Sequence, residues 1–142
     1  MPAEELSRWL GYLGLEAHGR ATVTDSMLRH GEVFDGLDPD AAASRVDLAL
    51  RRFKPETVAL AAAQPGVDRE LALRTRRWLA ERRDDHLRIG GADLLAAGIP
   101  EGPGIGRALA ATFALAIDGE ATGRDEQLAR AIEFARADAH PE

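Results

Sequence analysis

A glycine-rich turn at residues 89–106 carries the most specific chemical signal in the chain. Gly104 and Gly106 stand where this turn leads into a helix at Arg107. Because glycine has no side chain, the backbone N–H groups at the start of that helix are left uncovered, and such groups can bind a phosphate. The same glycines could instead let two helices approach closely. The pattern predicts a phosphate site at Gly104, Ile105, Gly106 and Arg107, with close helix packing as the alternative.

Positive charge is concentrated in the middle third of the sequence. Residues 45–88 contain 11 basic and 7 acidic side chains, whereas the remaining residues contain 7 basic and 17 acidic ones. The whole chain has a formal net charge of −6, so any contact with a polyanion has to be local. Each basic side chain could also be an ordinary solvated residue on a helix. Those that we expect to bind phosphate are Arg51, Arg52, Lys54, Arg74, Arg76 and Arg77.

The sequence contains no clear catalytic or metal-binding pattern. It has no cysteine, which removes thiolate ligands and thiol nucleophiles. Asp38 and Asp40 flank Pro39, an arrangement that favours the cap of a helix over a pair of metal-binding carboxylates. The histidines never stand three or four residues apart, as two metal ligands on one helix would. They are His18, His30, His86 and His140. We expect no catalytic residue, no metal and no cofactor in this chain.

Composition and the spacing of helix start and stop signals predict an all-α protein. Aromatic residues make up only 5% of the chain, which leaves little material for a half-buried sheet. We expect a single compact domain over residues 1–142, with six to eight helices and short connections rich in glycine and proline. The predicted helices cover about 2–14, 26–30, 39–53, 55–63, 92–97 and 105–117, and two more begin after Asp68 and Gly123.

Nothing in the sequence predicts a membrane segment or a targeting signal. Apolar residues make up 45% and charged residues 30%, a balance typical of folded globular chains. No apolar run approaches the roughly 20 residues that a spanning helix needs. The first residues are acidic where a secretory or transit peptide would be basic. Together with the absence of cysteine, these features lead us to expect a cytoplasmic protein with no membrane partner.

The glycine-rich turn and the helices beside it follow an extended pattern. Its members are Gly91, Asp93, Leu94, Leu95, Gly98, Ile99, Pro100, Gly102, Pro103, Ile105 and Gly106, then Leu109, and then Asp118, Gly119 and Glu120 ahead of Arg124-Asp125-Glu126. Upstream, Leu50 to Thr57 completes the pattern. From Asp47 to about Arg136, the chain resembles the C-terminal body and tail of the bacterial tRNA nucleotidyltransferase and poly(A) polymerase family.

The resemblance implies a role in holding RNA, without catalysis by this chain alone. Members of the family transfer CMP or AMP from CTP or ATP to an RNA 3′ end, and they use metal-bound carboxylates in an N-terminal head with a Gly-Ser motif. This sequence has no Gly-Ser pair, so Mg²⁺ and CTP or ATP are implied only for a separate or upstream head. The implied partner is tRNA or another RNA 3′ end, held by shape and phosphate contacts. The choice between CCA addition and poly(A) addition stays open.

Two other functions are compatible with the same residues. Gly98-Ile99, followed by Gly104-Ile105-Gly106 and an alanine-rich helix, is reminiscent of a helix-hairpin-helix module that binds duplex DNA non-specifically, although such hairpins are usually shorter. Alternatively, the chain could be a protein-interaction domain that docks to a separate catalytic subunit. It would use the acidic last helix or an apolar stripe on the first helix, formed by Leu6, Trp9, Leu10 and Leu13. The sequence predicts no particular oligomeric state.

Overall fold

The computed structural model describes residues 2–139 and consists of α-helices joined by short connections. It is 67% helical, with no strand among the described residues, so the prediction of an all-α fold with six to eight helices is confirmed. No helix in this part of the chain combines the length and the apolar character that crossing a membrane requires. The helices are α1 (Ala3–Tyr12), α2 (Ala17–Arg29), α3 (Ala43–Leu50), α4 (Pro55–Ala62), α5 (Arg69–Arg77), α6 (Gly91–Ala96), α7 (Pro103–Ile117) and α8 (Arg124–Ala139).

The described residues fall into two compact units. The first comprises residues 2–41 and 46–83 and contains α1, α2, α4, α5 and most of α3. The second comprises residues 42–45 and 84–139 and contains α6, α7 and α8. Each unit has its own apolar core. The expectation of one domain over residues 1–142 stays a prediction.

The core of the first unit forms where α3 and α4 meet the segment that follows α5. Val46 and Leu50 from α3 pack with Val58 and Ala61 from α4 and with Trp78. The buried positions of α4 are spaced three and four residues apart, which turns one continuous face inward. Pro55 occupies the first turn of α4, where its missing N–H group costs no hydrogen bond.

A short turn joins α4 to α5 and sets their relative direction. Gly66 has φ +86°, a value that glycine adopts without strain, and it follows Pro65 in a Pro-Gly turn. Asp68 then caps α5, because its side chain accepts a hydrogen bond from the N–H group of Leu71 at 3.0 Å. The two helices pack against each other and form a helical hairpin. Hydrogen bonds between the segment before α4 and the segment after α5 place the start of α4 and the end of α5 at the same end of this hairpin.

A π-helical turn, Trp78–Arg82, continues α5 without a break. Its wider hydrogen bond runs from the N–H group of Arg83 to the carbonyl of Trp78 at 2.9 Å. Such turns contain one more residue than an α-helical turn and are rare outside functional or strained positions. The turn begins at Trp78, whose side chain lies in the core, and it sets the direction in which the carbonyls of Arg82 and Arg83 point.

The second unit is built on α7 and α8, which pack along each other. Ala108 from α7 and Ala131 and Ala135 from α8 are buried together, and these small side chains allow the two helices to come close. The short helix α6 ends at Ala96, and Gly98, two residues later, has a φ of +84° that lets the chain reverse direction. Ile99 follows it into the core, and its N–H group donates to the carbonyl of Leu94 at 3.0 Å.

Two helix boundaries differ from the sequence prediction. The predicted short helix at 26–30 is part of α2, which spans Ala17–Arg29, and a 3₁₀ turn follows it at His30–Glu32. Only Ser26 is buried on α2, so this helix lacks the apolar stripe that would have revealed it. The predicted N-cap at Asp38 is also wrong, because α3 begins only at Ala43. The carboxylate of Asp38 instead accepts a hydrogen bond from the N–H group of Asp40 at 2.9 Å, which closes a local turn.

The apolar stripe predicted on the first helix divides between core and surface. Leu10 is buried and Leu6 is half-buried, whereas Trp9 is 58% exposed and Leu13 is 74% exposed. Tyr12 lies beside Trp9 in an edge-to-face arrangement with 6.0 Å between the ring centroids. The helix α1 therefore presents an outward apolar face formed by Trp9, Tyr12 and Leu13.

Candidate nucleic-acid interface

Arg51, a candidate phosphate ligand, is engaged in contacts within the first unit. Its guanidinium donates to the carboxylate of Asp47 at 2.5 Å and to the carbonyls of Arg83 and Arg82 at 2.8 and 3.1 Å. The last carbonyls of a helix have no partner within the helix, so Arg51 stabilises the end of the π-helical turn. A phosphate would have to compete with these contacts for the same guanidinium.

The partner of Arg51, Asp47, is a buried carboxylate that the sequence analysis did not identify. Asp47 is only 2% exposed. Its second oxygen accepts a hydrogen bond from the indole N–H group of Trp78 at 2.7 Å. Both carboxylate oxygens are thus satisfied, as a buried charge requires. The sequence signal for this site is a carboxylate directly after the apolar Val46 and four residues before Arg51, and it becomes informative only when Trp78 is known to lie nearby.

Arg74 also serves the fold of the first unit. Arg74 is among the side chains expected to bind phosphate, but it is half-buried. Its guanidinium donates to the carbonyl of Pro39 and, at 2.6 Å, to that of Ala41. These bonds fix the connection that precedes α3. The half-buried guanidinium of Arg74 is thus used by main-chain carbonyls of the fold itself.

The remaining basic candidates on α5 point into solvent. Leu71 and Thr75 face the core, and Arg76 and Arg77 are exposed in the last turn. Arg69 is exposed in the first turn, seven residues before Arg76 and therefore on the same side of the helix. Positive side chains near a helix C-terminus are favoured by the helix dipole, so their position costs the fold nothing.

Arg52 and Lys54 lie at the same end of the hairpin as Arg76 and Arg77. Both follow α3 directly, and Lys54 occupies the N-cap position of α4. The contacts of neighbouring Arg51 with the carbonyls of residues 82 and 83 bring this segment beside the π-helical turn. We call the exposed side chains of Arg52, Lys54, Arg76 and Arg77 the basic end. Within residues 2–139, none of these side chains has a hydrogen bond or an ion pair.

The predicted phosphate site at the glycine-rich turn faces a carboxylate of the protein itself. Arg107, in the first turns of α7, donates to both oxygens of Asp138, at 3.1 and 2.6 Å. A Cβ atom placed on Gly104 would lie 3.1 Å from the Oδ2 atom of Asp138. The hydrogen bond from Arg107 lowers the pKa of Asp138, and the same bond raises the pKa of Arg107. The carboxylate thus lies where a phosphate was expected.

The two glycines of this turn differ in their surroundings. A Cβ atom on Gly106 would meet no atom within 4 Å, so close packing is not the reason for glycine there. At Gly104 the tight contact is with the end of the Asp138 side chain on α8, so the packing alternative applies to Gly104 alone. Ile105 is half-buried and packs against the core of the second unit. Gly106 and Arg107 are exposed.

The acidic residues of the extended pattern have structural contacts. Asp93 accepts a hydrogen bond from the N–H group of Gly90 at 2.8 Å and forms an ion pair with Arg124 at 2.5 Å. Asp118 accepts bonds from the N–H and hydroxyl groups of Ser44, at 2.8 and 2.7 Å. Because Ser44 lies in the first turn of α3, Asp118 stabilises that helix N-terminus from a distant part of the sequence.

The histidines and carboxylates form no metal site in the described part of the chain. No group of three or more His, Asp or Glu side chains comes together there. The Nδ1 atom of His30 lies 2.9 Å from the carbonyl of Met27, and that of His86 lies 3.2 Å from the carbonyl of Asp84. His18 is exposed. His140, the fourth histidine of the sequence, lies outside the described residues.

Comparisons with known proteins identify no relative of the chain. No family model, no curated protein and no solved structure matches the chain. The resemblance to the nucleotidyltransferase family therefore rests on the residues of the extended pattern.

Proposed function

We propose that this chain holds a structured RNA, such as tRNA, through its phosphates, and that a catalytic head, separate or upstream, adds nucleotides to the RNA 3′ end. The observation that carries the proposal is the basic end, where Arg52, Lys54, Arg76 and Arg77 are exposed without a protein partner. Exposed Arg and Lys side chains contact phosphates and thereby position a nucleic acid without reading its sequence. The extended sequence pattern supports tRNA as the RNA concerned.

The surroundings of the basic end favour contacts with the RNA backbone over contacts with unpaired bases. Recognition of single strands depends on aromatic side chains that stack on bases. Among the described residues, the strongly exposed aromatic side chains are Trp9 and Tyr12, both on α1. Phe53, which lies between Arg52 and Lys54 in sequence, is partly buried and covered by the guanidinium of Arg29, 4.8 Å from the ring centroid. The basic end therefore offers charge and no stacking surface.

Binding of the chain to a tRNA that lacks its 3′ CCA, measured over a range of salt concentrations, tests the proposal. If all the side chains of the basic end contact phosphates, the slope of log K against log salt is about −3 to −4. Duplex DNA of similar length is the control. Salt-sensitive binding that favours tRNA is the expected result. Equal affinity for both would instead indicate a non-specific helix-hairpin-helix-like DNA-binding function, and no binding to either would refute an RNA-holding function of this chain.

A pair of double variants locates the contact. Arg76→Ala with Arg77→Ala removes two charges from the basic end and is expected to weaken tRNA binding and reduce the salt slope by about 2. Arg130→Ala with Arg136→Ala removes the same charge from α8 and serves as the matched control. Equal effects of the two double variants would mean that only net charge matters and would contradict a defined site. We expect no incorporation of CMP or AMP by the chain alone with Mg²⁺ and CTP or ATP.

A second candidate function, docking to a protein partner such as a catalytic subunit, is favoured by the outward face of α1. Trp9, Tyr12 and Leu13 are 58%, 77% and 74% exposed. Large aromatic side chains grouped on a surface are typical anchors of protein interfaces. Replacing Trp9 and Leu13 with alanine would abolish docking to such a subunit and leave direct binding of tRNA by the isolated chain unchanged. Loss of tRNA binding in this variant would place the face in the RNA site instead.

A further inference from the structure

A groove between α1 and α2 in the first unit is separate from the residues of the basic end. Its volume is about 370 Å³, within the range of small-molecule sites. Ala17 and Ala21 from α2 and Ser7 from α1 line it, and Leu28 contributes an apolar surface. The small side chains leave room along α2 that no protein atom fills. The groove also contains polar groups whose bonding capacity the protein does not use.

The hydroxyl group of Thr24 is the first of these polar groups. Its Oγ1 atom is buried in the groove lining and has no hydrogen-bond partner, and it is the single such side-chain atom within residues 2–139. Buried polar atoms are almost always bonded. The buried threonines Thr75 and Thr112 donate to the carbonyl four residues earlier, each at 2.8 Å, but Thr24 makes no such bond. The hydroxyl is closed to solvent, so a bound molecule would supply the missing partner once the Thr24 side chain turns towards the groove.

Two groups of opposite charge lie in the same groove. The Nη1 atom of Arg20 donates to the carbonyl of Leu15 at 3.1 Å, and the rest of this guanidinium has no carboxylate partner among the described residues. The carboxylate of Asp25 forms a long ion pair with Arg29 at 3.8 Å and accepts a long hydrogen bond from the hydroxyl of Thr57 at 3.5 Å, so neither contact uses it fully. Each charge therefore retains capacity for a strong hydrogen bond to an oppositely charged ligand group.

We propose that this groove binds a zwitterion of amino-acid size with an aliphatic side chain. The ligand's carboxylate pairs with Arg20 and accepts the hydroxyl bond of Thr24. Its ammonium group pairs with Asp25, and its aliphatic part lies over Ala17, Ala21 and Leu28. The half-buried charges of Arg20 and Asp25 favour a zwitterion over a simple anion or cation, because each of the latter would leave one of the two groove charges without a ligand group of opposite sign.

Calorimetric titration with leucine and two of its analogues tests this site. The analogue 4-methylpentanoate lacks the ammonium group, and 3-methylbutan-1-amine lacks the carboxylate. Leucine is expected to bind about tenfold more tightly than either analogue, and Arg20→Gln to weaken leucine binding by a similar factor. The absence of saturable binding for all three compounds up to about 10 mM would overturn the proposal. Equal leucine affinity in the wild-type protein and Arg20→Gln would also overturn it.

The unpaired hydroxyl of Thr24 gives a second, independent test of the site. Thr24→Val keeps the shape of the side chain and removes its polar group, so the ligand-free protein is expected to melt at a higher temperature. The same substitution is expected to weaken leucine binding. Thr22→Val, on α2 but outside the groove lining, is the matched control and should leave the affinity unchanged. If Thr24→Val and Thr22→Val bind leucine as tightly as the wild-type protein, Thr24 does not belong to a ligand site.

Discussion

Replacing the buried carboxylate of Asp47 tests the interaction on which the end of α5 depends. Removing one partner of a buried ion pair costs about 3–5 kcal/mol, and a hydrogen bond to a charged group contributes about 1.5–3 kcal/mol. The side chain of Arg51 is 29% exposed and would keep its bonds to main-chain carbonyls. The free-energy cost of losing the ion pair therefore lies at the low end of that range. We expect Asp47→Ala to lower the free energy of unfolding of the first unit by about 3–4 kcal/mol.

Asp47→Asn is expected to cost less, about 1.5–2.5 kcal/mol. Asparagine keeps an oxygen for the indole N–H group of Trp78, but it turns an N–H group towards the guanidinium of Arg51. Two donors then face each other, and the amide cannot replace the lost charge. Both variants lose the ion pair, but only asparagine retains the indole bond. The difference between their free energies of unfolding therefore reports the contribution of the indole bond.

Tryptophan fluorescence during urea unfolding is the suitable assay. Both tryptophans, at positions 9 and 78, lie in the first unit, so the signal follows this unit alone. A Trp9→Phe background isolates Trp78. With an m-value of about 1.5 kcal/mol/M, a loss of 3 kcal/mol lowers the midpoint by about 2 M. Asp35→Asn, an exposed aspartate of the same unit, is the control. An Asp47→Ala midpoint within error of this control would refute the stabilising role of the buried carboxylate.

The other predictions concern individual charged residues. Arg51→Gln should destabilise the first unit in urea, whereas its neighbour Arg52→Gln should leave unfolding unchanged and weaken tRNA binding; the reverse pattern would contradict the assignment of the two side chains. Arg74→Gln should speed amide hydrogen exchange in the connection before α3, because two carbonyl contacts are lost. Asp138→Asn frees Arg107 and should raise tRNA affinity if phosphate binds at the start of α7, while an unchanged affinity would rule that site out. Because Arg107 lowers the pKa of Asp138, the ion pair stabilises the protein at neutral pH, and this contribution is lost as the pH falls through the lowered value. The unfolding midpoints of the wild-type protein and Asp138→Asn should therefore converge in acid.

Local signals in the sequence were sufficient for much of the helical framework. The Pro65-Gly66 turn, the cap at Asp68 and the inward positions Leu71 and Thr75 follow from rules that involve only neighbouring residues. The same rules failed at α2, whose buried contact is made by Ser26. The hydroxyl of Ser26 lies 3.1 Å from that of Thr57, and a buried pair of hydroxyl groups leaves no apolar periodicity.

The candidate site was less predictable because residues of one type have different roles. Arg51 and Arg52 are adjacent, yet the first caps a helical turn and the second is exposed. The difference depends on carbonyl groups some 30 residues away, at positions 82 and 83. Likewise, the glycines before Arg107 indicated an open helix start, and only the position of α8 brings Asp138 to it. Sequence spacing therefore identified the segments, and tertiary contacts decided which side chains are available.

The π-helical turn after α5 affects how the chain would respond to a change in its length. In an ordinary α-helix, deleting one residue rotates everything that follows by about 100°. A deletion between Leu79 and Arg83 would instead convert the wide turn into an ordinary one and would spare Leu79, which packs against the core. The inward register of Leu71, Thr75 and Trp78 lies before the deletion and would be preserved. The change would fall on the carbonyls that Arg51 binds. The first unit therefore contains a place where the loss of one residue changes the cap of a helix and leaves its core face intact.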